Sequence, residues 1–112
     1  FRKLMERDRP PTAVIAGSDV IALGALGAAY SLGMRIPDDV SVAGFDNAPN
    51  SEYSVPPLTT LKYPAAGLGR MAARSVLRQL SEGKTEPVRK VLPLELLERE
   101  SCGPKRNTEE KR

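Results

Sequence analysis

Two short, nearly continuous apolar runs, residues 12–16 (TAVIA) and 40–45 (VSVAGF), leave few folds open to this chain. Each is too short for a helix and does not alternate, which is the pattern of a strand buried on both faces of a parallel sheet. Parallel strands need a long crossover, and the intervening residues supply one. Gly17, Ser18 and Asp19 open a helix, because the side chains of Ser18 and Asp19 can both accept from its free N–H groups. The helix runs to about Leu32, Gly33 ends it, and residues 34–39 turn through Pro37 into the second run. Strand, helix, strand is a βαβ unit, so the expected class is α/β with a doubly wound parallel sheet.

The 112 residues suffice for one ordinary domain but not two. With no His there is no imidazole base or ligand, and the single Cys102 forms neither a disulfide framework nor a thiolate metal cluster. No metal or cofactor is expected. The longest uncharged stretch, Val20 to Met34, is 15 residues, and a membrane span needs about 20, so the chain reads as soluble. A pI of 9.2 suggests nucleic acid, but the excess charge is at the ends. Residues 1–10 and 105–112 each carry four basic and two acidic groups, leaving 9 basic against 10 acidic in the body. Such ends read as solvated and, at 105–112, as a disordered tail. Residues 1–10 begin with Phe, lack a secretory leader pattern, and read as the end of a truncated preceding element.

The second half of the chain is less regular. Residues 46–51 and 55–57 have loop composition, and 58–63 predict a strand or an extended crossover. Pro64 opens a helix over 64–82, where Leu68, Met71, Ala72, Ser75, Val76 and Leu80 share one face and Arg70, Arg74 and Arg78 the other. Residues 88–97 predict a strand interrupted by Pro93. The helix at 20–32 is apolar on every side and must be covered on more than its sheet side.

Two polar pairs, Ser18-Asp19 and Asp46-Asn47, directly follow the two apolar runs. Ligands of open α/β sheets bind beyond the carboxyl ends of such strands. Asp46 would accept hydrogen bonds from ligand hydroxyl or ring N–H groups, and Ser18 would donate or accept one more. The plainer alternative is that Ser18 or Asp19 caps the helix and Asp46 caps a turn. Ser18 is no nucleophile, since AGSDV is not a G-x-S-x-G elbow and no base accompanies it. The arginine stripe reads as a solvated face, Asp38-Asp39 as turn residues, Gly24 and Gly27 as close-packing positions and Cys102 as an inert thiol.

Taken in order, these segments resemble the C-terminal part of the effector-binding core of LacI/GalR-type transcriptional regulators. The matches are PTA into AGSD at 11–19, ALGA at 22–25, IPDDVSVAGFDN at 36–47, PPLTTL at 56–61, GRMA at 69–72 and LELLERES at 94–101. The resemblance covers about residues 11–104 and implies a two-lobed, periplasmic-binding-protein-like type I core, with 64–82 in the other lobe. It also implies a helix-turn-helix domain outside this chain, which alone contacts operator DNA. A small-molecule effector, sugar or nucleoside/purine-like, would touch Ser18 and Asp46. Ser18 stands where the family usually has Asn, keeping a hydrogen-bonding group with shorter reach. The resemblance further implies a cytoplasmic homodimer formed through helix 20–31 and loop 49–56, nominating Leu23, Gly27 and Tyr53. Neither a cofactor nor a membrane enters.

A solute-binding protein of a transport system would share the fold but begin with a signal peptide. An enzyme using Asp46 as base is disfavoured because no second catalytic group accompanies it. The apolar face of helix 64–82 would lose about 1.5–3 kcal/mol per large side chain left uncovered. The isolated 112-residue chain is therefore expected to aggregate or to melt without a sharp transition; cooperative thermal unfolding of a purified monomer would contradict this.

Overall fold

The computed structural model describes residues 1–83 and 87–104; the tail expected at 105–112 lies outside them. The elements are α1 (Arg2–Met5), β1 (Ala13–Ile15), α2 (Asp19–Ser31), β2 (Ser41–Phe45), β3 (Thr59–Lys62), α3 (Ala65–Glu82) and β4 (Glu95–Leu97). The sheet order is β1-β2-β3-β4, with β1, β2 and β3 parallel. Two compact units are present: Phe1–Lys62 with the residues from Leu96 onward, and Tyr63–Glu95.

The first unit contains the expected βαβ motif, with Val14 opposite Val42 in β1 and β2 and Gly44 opposite Thr60 in β2 and β3. Helix α2 buries Ala22, Ala25, Leu26 and Ala29, the spacing of a single helical stripe. Beneath it lie Ala16, Val42 and Leu58. The small side chains bring the helix backbone close to the strands, and Gly44 shows how close. A Cβ there would collide with Asp19 Oδ1 and crowd Leu58 Cδ2 at 3.0 Å.

Residues near the C-terminal end of the described chain stitch this sheet together. Buried Ser101 accepts from Thr59 N at 2.8 Å through Oγ and donates the same hydroxyl to Val42 O at 2.5 Å. Cys102 Sγ, 3.3 Å from Val42 O, is a free thiol engaged with the backbone. In the turn before β2, Asp39 accepts from Arg35 N and Arg35 Nη2, both at 2.7 Å. That hydrogen bond, with the Asp39 charge, holds the Arg35 guanidinium above its ordinary range. Asp39 thus serves the turn, as its sequence context predicts.

Two expectations are corrected. Strand β1 is not buried on both faces: it is an edge strand, and Ala13 and Ile15 are exposed, Ile15 at 81% where it borders an open hollow. The strand expected over 88–97 shrinks to Glu95–Leu97; Pro93 has no N–H for a ladder, and pairing begins only beyond it. Within this single chain α2 packs on the sheet and leaves Val20, Ile21 and Tyr30 exposed.

In the second unit, α3 starts after Pro64 and ends at Gly83, whose φ of 63° is the left-handed conformation that favours glycine. No residue of α3 is buried. Leu68, Val76 and Leu80 are exposed along its apolar face, which borders an open groove of about 650 Å³ shared with Pro87 and Val88.

The contact between Gly44 and Asp19 gives a direct test. Gly44→Ala should destabilise the protein that carries this chain by about 1–3 kcal/mol, the usual penalty for overpacking, read as a lowered denaturant midpoint at unchanged m-value.

Candidate functional site

The site is built where β1 and β2 end. Ala16 N donates to Ala43 O at 2.8 Å and Asp46 N to Leu61 O at 2.9 Å, so the ladder extends to the last residues of both strands. Ser18 and Asp46 are therefore presented at the same, carboxyl edge of two neighbouring parallel strands, as the sequence predicts.

The two side chains differ in what already occupies them. Ser18 is the N-cap of α2, its Oγ accepting from Ile21 N at 3.3 Å. The cap uses a lone pair and leaves the hydroxyl proton available, so Ser18 can cap and still donate one hydrogen bond. Asp46 is exposed, and its carboxylate accepts no hydrogen bond from the described residues. It does not cap a turn. Its φ of 113° and the 53° of Asn47 are rare for non-glycine residues and re-aim the chain as it leaves the sheet. An exposed carboxylate on a loop held in this conformation is a ready acceptor for ligand hydroxyl or N–H groups.

Asp19 belongs to the support beneath that loop. It is fully buried, accepting from Ala48 N at 2.7 Å and from Thr60 Oγ1 at 2.6 Å. The capping role considered for it falls to Ser18, while its own carboxylate joins α2, β3 and the 46–51 loop. Asn47 N donates to Thr60 Oγ1 at 3.3 Å, and Asn47 Oδ1 accepts from Arg99 Nη2 at 2.8 Å. Arg99 Nη1 also donates to Ser51 Oγ at 3.0 Å and to Leu58 O at 2.8 Å. Sequence reasoning missed both Thr60 and Arg99. Both lie within quoted segments, Thr60 in PPLTTL and Arg99 in LELLERES, but neither segment reveals the contacts these side chains make.

A hollow of about 700 Å³ lies against α1, β1 and α2, lined by Phe1, Val14, Ile15, Ile21 and Gly24 and not by Ser18 or Asp46. Among the described residues no group of His, Cys, Asp or Glu side chains could hold a metal ion, and no helix is long and apolar enough to cross a membrane. The residues nominated for dimerisation lie on or beside open surface: Leu23 is half-buried, Gly27 has nothing within 4 Å of where a Cβ would stand, and Tyr53 is 79% exposed.

This arrangement is that of a ligand-binding α/β domain, and comparison with known proteins specifies which. Residues 1–102 match the family model of the periplasmic binding protein-like domain. Over 101 residues the chain is 38% identical to the HTH-type transcriptional repressor PurR of Escherichia coli O1:K1 / APEC, covering 90% of this chain and 30% of that protein. It resembles the structure of the transcriptional regulator CelR–cellobiose complex with a TM-score of 0.81 at 39% identity, covering 89% of this chain and 31% of that one. Against the lac repressor dimer bound to operator and the anti-inducer ONPF, the TM-score is 0.72 at 37% identity, covering 82% and 32% of the two chains. The chain belongs to the periplasmic binding protein-like domain family, in the form carried by LacI/GalR-type regulators. It spans about a third of the length of these relatives, which are regulators rather than transport proteins or enzymes.

One local interaction on the open surface is testable. Hydrogen bonding to Glu52, reinforced by its charge, raises the Tyr53 phenol above its ordinary range. The contact thus persists up to strongly alkaline pH and is lost as pH rises through the raised value. Glu52→Gln should lower the alkaline midpoint of the tyrosine absorbance change, with Tyr53→Phe identifying which transition belongs to this residue.

Proposed function

We propose that this chain is the effector-sensing and dimerisation part of a bacterial, cytoplasmic DNA-binding transcriptional regulator. A small molecule with hydroxyl groups or ring N–H groups, a sugar or a nucleoside/purine-like compound, donates to the Asp46 carboxylate and meets Ser18 at the neighbouring strand end. Effector binding shifts the population of the sensor's conformations and so alters operator affinity through a helix-turn-helix domain outside this chain. The role contains no chemical step. Pairing of two copies through α2 and loop 49–56, with Leu23, Gly27 and Tyr53 at the contact, gives the shift a route to DNA.

The observation that carries the reading is the Asp46 carboxylate, exposed and unengaged among the described residues, set on a left-handed turn beside Ser18. The relatives support it: one is named a transcriptional repressor, one was solved with cellobiose, and one as an operator-bound dimer with an anti-inducer. The uncovered apolar face of α2, with Val20, Ile21 and Tyr30 exposed, supports the pairing.

Calorimetric titration of the complete protein with sugars, nucleosides and purines tests the assignment. Asp46→Ala should weaken binding about 10- to 100-fold, the equivalent of the roughly 1.5–3 kcal/mol of a hydrogen bond to a charged group. Unchanged affinity would remove Asp46 from the site.

A further inference from the structure

The loop bearing Asp46 needs more than its own sequence to keep its shape. Positive φ at two successive non-glycine residues, Asp46 and Asn47, is stable only where the surroundings over-determine it. The supports come from two sides. From below, Asp19 Oδ2 accepts from Ala48 N and Thr60 Oγ1 accepts from Asn47 N. From the far end of the chain, Arg99 places one guanidinium nitrogen 2.8 Å from Asn47 Oδ1 and the other 3.0 Å from Ser51 Oγ and 2.8 Å from Leu58 O. Arg99 thereby grips both ends of the Asn47–Ser51 segment with one rigid, planar group.

Arg99 is itself fixed at its root. Its backbone N donates to Thr59 Oγ1 at 3.0 Å, and Ser101, two residues on, is buried and bonded to β2 and β3. Its side-chain acceptors among the described residues are all uncharged oxygens, so the side chain works through directed N–H groups rather than through a salt bridge. Lysine cannot replace it, because an ammonium on a flexible stem lacks the fork that reaches Asn47 and Ser51 together.

We propose that Arg99 is a positioning residue for effector recognition: by fastening Asn47 and Ser51 it holds the loop in the one shape that turns the Asp46 carboxylate outward. The proposal rests on the reading of Asp46 as an effector contact.

The test is a double-mutant cycle in the complete protein, with Arg99→Lys, Asp46→Ala and the two together. Cellobiose and hypoxanthine are the probes, followed by calorimetry alongside thermal midpoints. Arg99→Lys should weaken the bound probe about tenfold, and should weaken it no further once Asp46 is Ala, while its lowering of the thermal midpoint appears in both backgrounds. A merely structural Arg99 moves the midpoint alone. Wild-type affinity in Arg99→Lys, with Asp46→Ala impaired, overturns the proposal and leaves the Asp46 reading standing; so do losses that simply add. Full affinity in Asp46→Ala, or no binding of either probe by the unmodified protein, overturns the Asp46 reading and this proposal with it. Should Arg99→Lys fail to fold, Asn47→Ala removes the acceptor instead and is judged by the same outcomes.

Discussion

The first unit is organised around one buried carboxylate. Asp19, fully enclosed, joins the first turn of α2, the Thr60 hydroxyl on β3 and the backbone of Ala48. A buried charge is tolerable only when its hydrogen-bonding capacity is met, and three separate chain segments must come together to meet it. Gly44 is required for the same reason, because the space its missing Cβ leaves is where Asp19 Oδ1 sits. Helix, sheet and the 46–51 loop are thereby mutually placed by a single side chain.

A division of labour follows between neighbouring residues. Ser18 is half-buried and Asp46 exposed at the strand edge, whereas Asp19 is fully buried and the half-buried Asn47 is bonded to Thr60 and Arg99. In each pair the second residue is tied to distant chain segments, while the first keeps hydrogen-bonding capacity to spare. The loop can thus hold a strained conformation at Asp46 and Asn47 while part-buried hydrogen bonds nearby fix its backbone.

The sequence revealed the βαβ unit because its signals are local: apolar runs of strand length, the capping residues Ser18 and Asp19 before the helix, and Gly33 after it. The position of Ser18 and Asp46 was legible for the same reason, since each directly follows such a run. Arg99 was not. Its acceptors are 41, 48 and 52 positions away along the chain. The role of Asp19 was misjudged because capping is a local motif, whereas its true partners are 29 and 41 positions distant. The exposure of Ile15 escaped because an apolar run reports what a strand can bury and not what covers it.

Ser101 has a consequence for how this fold is reached. Its hydroxyl closes the gap between β2 and the entry to β3, yet it belongs to a segment that arrives only after the chain has left for the second unit and come back. Bonds spanning 42 and 59 positions carry a high loop-closure entropy and are made late, after the local helix and strand pairs have formed. The β2–β3 pair is therefore sealed only once Ser101 has returned to it, and the Asp46 loop, held by Arg99 of the same segment, takes its final shape no earlier than that closure.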